Sequence, residues 1–277
     1  MKILITGSNG MLGTDLCQTL KNEDLIITNH HSLDITNQNE VFNKLDHFKP
    51  EIIINCAAMT DVDGCEAKQG LAYKLNSEAV KNLALGCKKI NGTLVHISTD
   101  YVFKGDKQKP LCEDDELGPE SVYGKSKLEG EQHIQKLLDK YFILRTSWLY
   151  GKNGPNFIEK MLELSKSHET LNVVYDQIGS PTFTKDLSKG INEVIKSNKY
   201  GIYHVTNKGS TSWYDYAKLI FKKKGIDVNI KGVSSSEFQA PAPRPHYSVL
   251  SHKKWINNGF NELRDYKDGL DEYLNLD

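Results

Sequence analysis

Short apolar runs alternate with amphipathic stretches along the first half of the chain. The first run, Ile3-Leu4-Ile5, has no polar interruption, which is typical of a strand buried on both faces. Similar runs predict further strands near residues 25–28, 51–55, 92–98 and 142–147, and helical spacing predicts helices near 11–20, 41–48, 71–89 and from Ser121 onward. This order predicts a doubly wound α/β fold with a parallel sheet.

The regular alternation weakens after the glycines and proline of residues 151–155. A helix at 157–165, a strand at 171–175, a turn at 179–182 and a helix at 185–196 are predicted there, followed mainly by helices and loops. We therefore predict a dinucleotide-binding domain over residues 1–147, to which about 171–200 returns, and a smaller, mainly substrate-binding lobe over 148–277.

Three glycines, Gly7, Gly10 and Gly13, follow the first strand directly. They allow the chain to turn, to approach a pyrophosphate and to pack a new helix closely on the sheet, with the helix amino terminus facing the anion. The spacing differs from Gly-x-Gly-x-x-Gly, and a glycine-rich turn without a ligand is the alternative. The position predicts a Rossmann-type cofactor loop, whose further contacts would be Ser8, Asn9, Met11 and Leu12.

The second strand ends without a carboxylate, at Thr28-Asn29-His30-His31. An acidic residue there usually binds a free ribose 2′-hydroxyl, so its absence favours NADPH at this position, which His30 would line. No Arg or Lys is present either, which leaves NADH possible. Asp34, beside Ile35, could reach the adenine edge, or it could be an ordinary exposed loop residue.

Small and polar side chains follow the next strand. Cys56, Ala57, Ala58 and Thr60 would allow a cofactor to lie across the sheet edge, although close helix packing explains them equally well. Asn76, in the helix that follows, is either a cofactor contact or helix surface.

The strand at 92–98 ends in a second polar cluster, Ser98-Thr99-Asp100-Tyr101, at the edge where doubly wound sheets carry their chemistry. Tyr123 and Lys127 are four residues apart, so a helix places both on one face. The ammonium could then lower the tyrosine pKa from about 10 towards neutrality. Tyr123 is therefore a candidate proton donor.

The Tyr-x-x-x-Lys spacing alone is weak evidence, because about 1.5 matches are expected by chance in a chain of this composition. A second match, Tyr214 to Lys218, lies in an amphipathic helix where core packing and a solvated lysine explain both residues. We interpret only the first match as functional.

Composition and charge exclude several classes of function. The formal net charge of −1 implies no general attraction to nucleic acid or to an anionic membrane. Five cysteines without a Cys-x-x-Cys pair suit a reducing cytoplasm, and the histidines have no metal-ligand spacing. No signal peptide or long uncharged stretch is recognised, so a cytoplasmic protein with no membrane or nucleic-acid partner and no metal is expected.

The proline-rich stretch 240–246 contains Arg244. An arginine in a rigid loop suits diphosphate recognition, and a solvated surface arginine is the alternative.

In their order along the chain, these motifs resemble the dTDP-4-dehydrorhamnose reductases, a family of extended short-chain dehydrogenases/reductases. The resemblance covers nearly the whole chain. It rests on Thr6-Gly7-x-x-Gly10-x-x-Gly13, Asn55-x-Ala-Ala-x-Thr60-x-Val-Asp63, Ser98-Thr99-Asp100-Tyr101-Val-Phe103, Tyr123-Gly-x-Ser-Lys127-x-x-Gly-Glu131, Arg145-Thr-Ser-Trp148, Asp176-Gln-x-Gly179-x-Pro-Thr182 and Arg244-Pro-x-x-Ser248.

The resemblance implies reduction of the C4 keto group of dTDP-4-dehydro-L-rhamnose by a nicotinamide cofactor, the last step of dTDP-L-rhamnose synthesis. It implies that Tyr123 protonates the carbonyl oxygen, that Thr99 hydrogen-bonds it, and that Lys127 holds the nicotinamide ribose and lowers the tyrosine pKa. Further implied substrate contacts are Asp100, Tyr101, Trp148 and Arg244. A reductase or epimerase of another sugar nucleotide, and a non-catalytic regulatory subunit on the same fold, are the alternatives.

Two departures from the family pattern affect what the resemblance implies. Some members form a Mg²⁺-linked dimer through glutamates, at places that here hold Asp15 and Lys185. A charged lysine cannot bind Mg²⁺, so a monomer or a homodimer without metal is expected. Met59 replaces a common tyrosine, which leaves the contact at that position open.

Overall fold

The structure, a computed structural model, describes residues 1–276. The strands are β1 (Lys2–Thr6), β2 (Asp24–Ile27), β3 (Ile52–Asn55), β4 (Thr93–Thr99), β5 (Tyr141–Thr146), β6 (Leu149–Tyr150), β7 (Thr170–Val174), β8 (Ile178–Gly179), β9 (Thr182–Phe183), β10 (Gly201–His204), β11 (Thr211–Ser212) and β12 (Asn229–Val233). The helices are α1 (Met11–Thr19), α2 (Gln38–Phe48), α3 (Val62–Ala67), α4 (Gln69–Tyr73), α5 (Ala79–Lys89), α6 (Val122–Leu137), α7 (Phe157–Leu164), α8 (Thr184–Val194), α9 (Trp213–Lys224), α10 (Ser235–Phe238), α11 (Lys253–Asn257) and α12 (Tyr266–Leu274).

A parallel sheet of six strands, in the order β2-β1-β3-β4-β5-β10, forms the centre of the fold. The strand order reverses between β1 and β3, since the chain continues from β1 to one side and from β3 to the other. A crevice forms outside the carboxyl ends of the strands at such a reversal, and ligands of open α/β sheets bind there.

The strands are apolar throughout because each contributes to a core on either side of the sheet. Ile3 and Ile5 pack into the core beneath α1 and α8, whereas Leu4 packs into the core beneath α2, α5 and α6. The same alternation holds in β3, where Ile53 faces away from Ile52 and Ile54. The predicted doubly wound α/β fold is confirmed.

The single helix predicted over residues 71–89 is divided in the structure. It consists of α4, a π-helical turn over Lys74–Glu78 and α5. The apolar periodicity does not reveal this break, because the chain keeps one direction through the wider turn. Such turns are frequent at functional sites, and this one contains Asn76.

Part of the second half of the chain returns to the main sheet. Strand β10 adds to its edge, while Leu187 and Ile191 of α8 and Trp255 of α11 enter the core shared with α1. The strand near residue 171 does not return with them: β7 pairs with β12, away from the main sheet. Apolar side chains of α7, α9 and α12 form a separate core there. The boundary at residue 147 stays a prediction.

Candidate functional site

The glycine turn between β1 and α1 is shaped for the close approach of a ligand. Gly7 has a positive φ of 64°, and a Cβ there would lie 2.8 Å from the Ala57 backbone nitrogen. A Cβ on Gly13 would lie 2.3 Å from the Gly7 carbonyl oxygen, so only glycine allows α1 to pack so near the turn. Helix α1 begins after Gly10 with no side-chain cap and no acidic residue in its first turn. Its free N–H groups therefore favour a phosphate.

Gly13→Ala is expected to weaken NADPH binding at least about tenfold, because the added methyl group displaces the Gly7 carbonyl and with it the turn. Titration of NADPH fluorescence would measure the change. Gly70→Ala is the matched control, since a methyl group at that position would meet no neighbouring side chain or packed backbone within 4 Å. Equal affinities of the two variants would contradict the assigned role of the turn.

A cavity of about 410 Å³ extends from this turn along the carboxyl ends of the strands. It brings together residues that are distant in sequence. The predicted site residues that line it are Gly7, Gly10, Met11, Leu12, Gly13, Cys56, Ala58, Thr60, Thr99, Asp100, Tyr101, Tyr123, Lys127 and Trp148.

The other predicted cofactor contacts lie outside this cavity: Ser8, Asn9, His30, Asp34, Ile35, Ala57 and Asn76. His30 and Asp34 lie beyond β2, where both are exposed, whereas Ile35 is buried in the core beneath α2. The Asp34 carboxylate accepts hydrogen bonds from the Thr36 N–H and hydroxyl, which hold the pKa of Asp34 below its usual value. That carboxylate is thus engaged in its own turn, and its contact with adenine stays a prediction.

Asn76 positions the site from behind rather than lining it. The side chain is fully buried, and its amide binds both the N–H and the carbonyl of Met59 at 2.9 and 3.0 Å. It also donates to the Ser126 hydroxyl on α6. The amide therefore ties the loop after β3 to the helix that bears Tyr123. At Met59 the backbone makes these contacts, so a tyrosine side chain is not needed for them.

Helix α6 carries Tyr123 and Lys127 on its buried face, at the end of β4 where Thr99 lies. Ser121 caps the helix, since its side chain accepts a hydrogen bond from the Gly124 N–H at 3.1 Å. Gly124 allows close approach, because a Cβ there would lie 2.3 Å from the Tyr101 carbonyl oxygen.

Lys127 is not among the groups of residues 1–276 that shift the pKa of Tyr123. Burial raises the pKa of Tyr123, and only the Thr99 hydroxyl lowers it. Burial also lowers the pKa of Lys127 to about 8, although Glu131 and Cys56 act in the opposite direction. The ammonium donates to the Ile97 carbonyl at 2.6 Å and is engaged there. The prediction that it lowers the tyrosine pKa is therefore wrong for the protein side chains alone.

A buried chain of side chains behind Lys127 was missed by the sequence reasoning. Asn55 accepts hydrogen bonds from the Thr6 hydroxyl and the Ala57 N–H, which leaves its amide nitrogen 3.0 Å from His96 Nδ1. His96 Nε2 lies 3.2 Å from Lys127 Nζ. Burial, followed by the Lys127 charge, lowers the pKa of His96 well below its usual value, so the imidazole is neutral. The signal in the sequence was a polar residue within each of two apolar strands.

Two stacked tryptophans form one wall of the cavity. The Trp148 and Trp213 rings stack with centroids 3.4 Å apart and an interplanar angle of 6°. Trp148 has a positive φ of 48°, a strained conformation that is held by the stacking and by Gly179 on its other side. Trp213 lines the cavity as well and was not predicted.

Arg244 lies in a neighbouring cavity of about 590 Å³, not in the cavity of Tyr123. Its guanidinium donates to Asp63 at 2.8 Å and to the Ala242 carbonyl at 3.0 Å. Although burial opposes ionisation, the Arg244 guanidinium and the Ala242 N–H keep the pKa of Asp63 below its usual value. Arg244 is therefore held by Asp63 and the Ala242 carbonyl, and it is not freely solvated.

The second Tyr-x-x-x-Lys match lies outside the site. Tyr214 packs on the core of the second lobe, and the exposed Lys218 ammonium lies 5.2 Å from the centroid of its ring. Neither residue lines the cavity of Tyr123.

The two positions compared with metal-linked dimers make contacts within the chain. Asp15 accepts a hydrogen bond from the Thr184 hydroxyl at 2.6 Å, and Lys185 forms an ion pair with Glu272 at 2.9 Å. Among residues 1–276, no cluster of three or more His, Cys, Asp or Glu residues could hold a metal ion. No helix in this range is long and apolar enough to cross a membrane.

Known proteins resemble this chain along its whole length. The family model described as RmlD substrate binding domain matches residues 1–277. The spore coat polysaccharide biosynthesis protein SpsK of Bacillus subtilis is 42% identical over 99% of this chain and 96% of its own length. A probable dTDP-4,6-dihydroxy-2-methyloxan-3-one 4-ketoreductase of Streptomyces antibioticus is 41% identical over 98% of this chain and 94% of its own length.

Solved structures agree with these relatives. A dTDP-4-dehydrorhamnose reductase of Clostridium acetobutylicum superposes with a TM-score of 0.97 and 46% identity, over 99% of this chain and 98% of that one. A dTDP-4-dehydrorhamnose reductase of Bacillus anthracis in complex with NADP gives a TM-score of 0.96 and 44% identity, over 99% of both chains.

Proposed function

The chain belongs to the RmlD substrate binding domain family, that of the dTDP-4-dehydrorhamnose reductases, and from this premise we propose that it reduces the C4 keto group of dTDP-4-dehydro-L-rhamnose with NADPH. The observation that carries the proposal is the convergence of Thr99, Tyr123 and Lys127 on the cavity that begins at the glycine turn. A hydroxyl pair beside a dinucleotide turn suits reduction of a carbonyl, because the developing alkoxide needs donors that are already in place.

The cofactor fits the residues present. The glycine turn, which Gly13 allows to pack closely on α1, and the open amino terminus of α1 suit a pyrophosphate. Lys127, beyond Cys56 and Ala58, would hold the nicotinamide ribose. The dihydronicotinamide supplies a hydride to the carbonyl carbon when it is bound. No carboxylate follows β2 directly, which supports NADPH, and NADH remains an alternative.

A side chain of this protein would supply the proton that the carbonyl oxygen takes up. The buried Tyr123 keeps its hydroxyl proton at neutral pH, because burial raises its pKa. It can therefore donate that proton to the carbonyl oxygen as negative charge develops there. Thr99 would hydrogen-bond the same oxygen. Asn55 and His96 fix Lys127 in place, and the stacked Trp148 and Trp213 exclude water from one side.

The substrate would bind between the two lobes. Asp100, Tyr101 and Trp148 would line the sugar, and Arg244 would meet the diphosphate, exchanging its bond to Asp63 for bonds to phosphate oxygens. We assign residues 1–147, with α8, β10 and α11, to cofactor binding, and most of 148–277 to the substrate. The protein would act in the cytoplasm as a monomer or a homodimer without metal.

Reduction of another dTDP-4-keto sugar is the second candidate function. The Streptomyces antibioticus relative carries the name of a different dTDP-sugar 4-ketoreductase at a similar identity, 41%. An epimerase acting on another sugar nucleotide would share the cofactor turn. A non-catalytic regulatory subunit need not keep the catalytic trio, and retention of Thr99, Tyr123 and Lys127 supports an enzyme.

NADPH oxidation should be followed by absorbance with dTDP-4-dehydro-L-rhamnose and, in parallel, with other dTDP- and UDP-4-keto hexoses. We expect the highest kcat/KM with dTDP-4-dehydro-L-rhamnose. A higher value with another 4-keto sugar would favour the second candidate. No oxidation with any of them would favour the regulatory subunit.

A further inference from the structure

One oxygen of the Asp100 carboxyl has no hydrogen-bond partner. The side chain is 1% exposed and lines the cavity, and Oδ2 accepts no hydrogen bond from residues 1–276. The Ser248 hydroxyl lies near the carboxyl but outside hydrogen-bond geometry. A buried carboxylate with an oxygen that receives no hydrogen bond is costly, which favours the neutral carboxyl, and its proton can then lie on Oδ1, the oxygen that faces Thr99. Asp100 is therefore a buried group that can hold a proton and that takes no part in the proton transfer from Tyr123.

Thr99 is the group with which Asp100 shares a proton. The Thr99 hydroxyl donates its only hydrogen to Asp100 Oδ1 at 3.0 Å, and its oxygen accepts from the Tyr101 N–H at 3.2 Å. In this arrangement Thr99 has no hydrogen to offer to a carbonyl oxygen in the cavity. Its oxygen has one further lone pair, which can accept a hydrogen bond.

We propose, on the basis of the proposed function, that Asp100 is a positioning residue that sets the direction of the Thr99 hydroxyl. The protonated carboxyl donates to Thr99 Oγ1 and releases the threonine hydrogen towards the substrate carbonyl oxygen. The ionised carboxylate holds that hydrogen away. Each hydrogen is used once in both states, so the carboxyl and the hydroxyl exchange donor and acceptor roles without any bond to carbon changing.

The surroundings of Asp100 favour its neutral form. The titratable groups that face it are the hydroxyls of Tyr101, in its own turn, and of Tyr123, on α6. Within residues 1–276, Asp100 forms no ion pair with a Lys, Arg or His side chain. Burial raises the pKa of Asp100 to about 6, although the Ser248 and Thr99 hydroxyls lower it. The competent, protonated form therefore prevails below about pH 6 and declines as the pH rises.

The test is the pH profile of kcat from about pH 5 to about pH 9, compared for wild type, Asp100→Asn and Thr99→Ala. Wild type should lose activity about 10²-fold as Asp100 ionises, which is the low end of the effect of one lost donor to the oxyanion. Asp100→Asn should lack this loss, because the amide nitrogen donates to Thr99 Oγ1 at every pH. Thr99→Ala should have a lower kcat at all pH values, and its kcat should not fall as Asp100 ionises. The change in kcat near pH 8 that accompanies deprotonation of Lys127 should remain in all three proteins.

Asp46→Asn is the control, since that carboxylate is exposed, pairs with Lys89 and lines neither the cavity of Tyr123 nor that of Arg244. A loss of activity that persists in Asp100→Asn, or a flat wild-type profile, overturns the inference. If circular dichroism shows that Asp100→Asn does not fold, Thr99→Ala decides the question. If Thr99→Ala still loses activity as Asp100 ionises, the inference is overturned, and if it does not, the inference is supported. Absence of NADPH oxidation by wild type at every pH instead overturns the proposed function, and the inference falls with it.

Discussion

Replacing Tyr123 by phenylalanine is expected to lower kcat by about 10²–10⁴-fold, the range attributed to a positioned general acid. The substitution removes one hydroxyl from a cavity that otherwise keeps its shape, because the Tyr123 ring still packs edge-on against Tyr101 with centroids 5.5 Å apart. NADPH affinity should change little, since the glycine turn and Lys127 are unaltered. Steady-state NADPH oxidation measures kcat, and NADPH fluorescence titration measures the affinity.

Tyr214→Phe is the matched control because it removes the same atom from the other Tyr-x-x-x-Lys match. Its activity should stay within about twofold of wild type, as the ring packs on the second-lobe core away from the cavity. Full activity of Tyr123→Phe would refute the proton-donor assignment. A comparable loss in both variants would show that the wrong tyrosine was chosen.

Glu131→Gln is expected to lower the free energy of unfolding by about 3–5 kcal/mol, because it leaves a buried cation without its partner. Glu131 and Arg145 are 0% and 1% exposed and form an ion pair at 2.7 Å. The same carboxylate accepts a hydrogen bond from the Ser98 hydroxyl at 2.5 Å, next to Thr99. Urea unfolding followed by tryptophan fluorescence measures the change.

Glu129→Gln provides the comparison on the same helix. Glu129 is 44% exposed and lies 3.7 Å from His133, so its loss should cost no more than about 1 kcal/mol. Replacing Glu131 and Arg145 together by methionine should recover part of the lost stability, since no charge then stays buried alone. Equal midpoints for Glu131→Gln and Glu129→Gln would contradict the assigned importance of the buried pair.

The fold was predictable because its signals are local. Strands buried on both faces are apolar without interruption, helices have apolar residues at regular spacing, and a glycine turn occurs where the first strand becomes a helix. The division of the predicted helix at 71–89 and the place of β7 beside β12 were not predictable, because the first depends on a wider turn and the second on a partner about sixty residues away.

The sequence predicted which strand ends form the site, but it did not predict the contacts between the side chains of the site. The polar residues after β1, β3 and β4 could be expected to meet, since the carboxyl ends of parallel strands lie at one edge. Trp213 comes from the second lobe, and His96 lies inside a strand whose neighbours are apolar. No spacing rule in the sequence connects either residue to Tyr123.

The sequence by itself determined the class of fold, the cofactor turn and the identity of the residues that can supply the proton when a hydride reduces a carbonyl. These follow from side-chain chemistry and short-range order along the chain. Only the tertiary structure decided the protonation and direction of those groups. Burial raises the pKa of Tyr123, where the spacing to Lys127 alone predicted the reverse. It also leaves Asp100 with an unpartnered oxygen. Desolvation and hydrogen-bond partners depend on which groups surround a side chain in space, and the order of residues does not specify them.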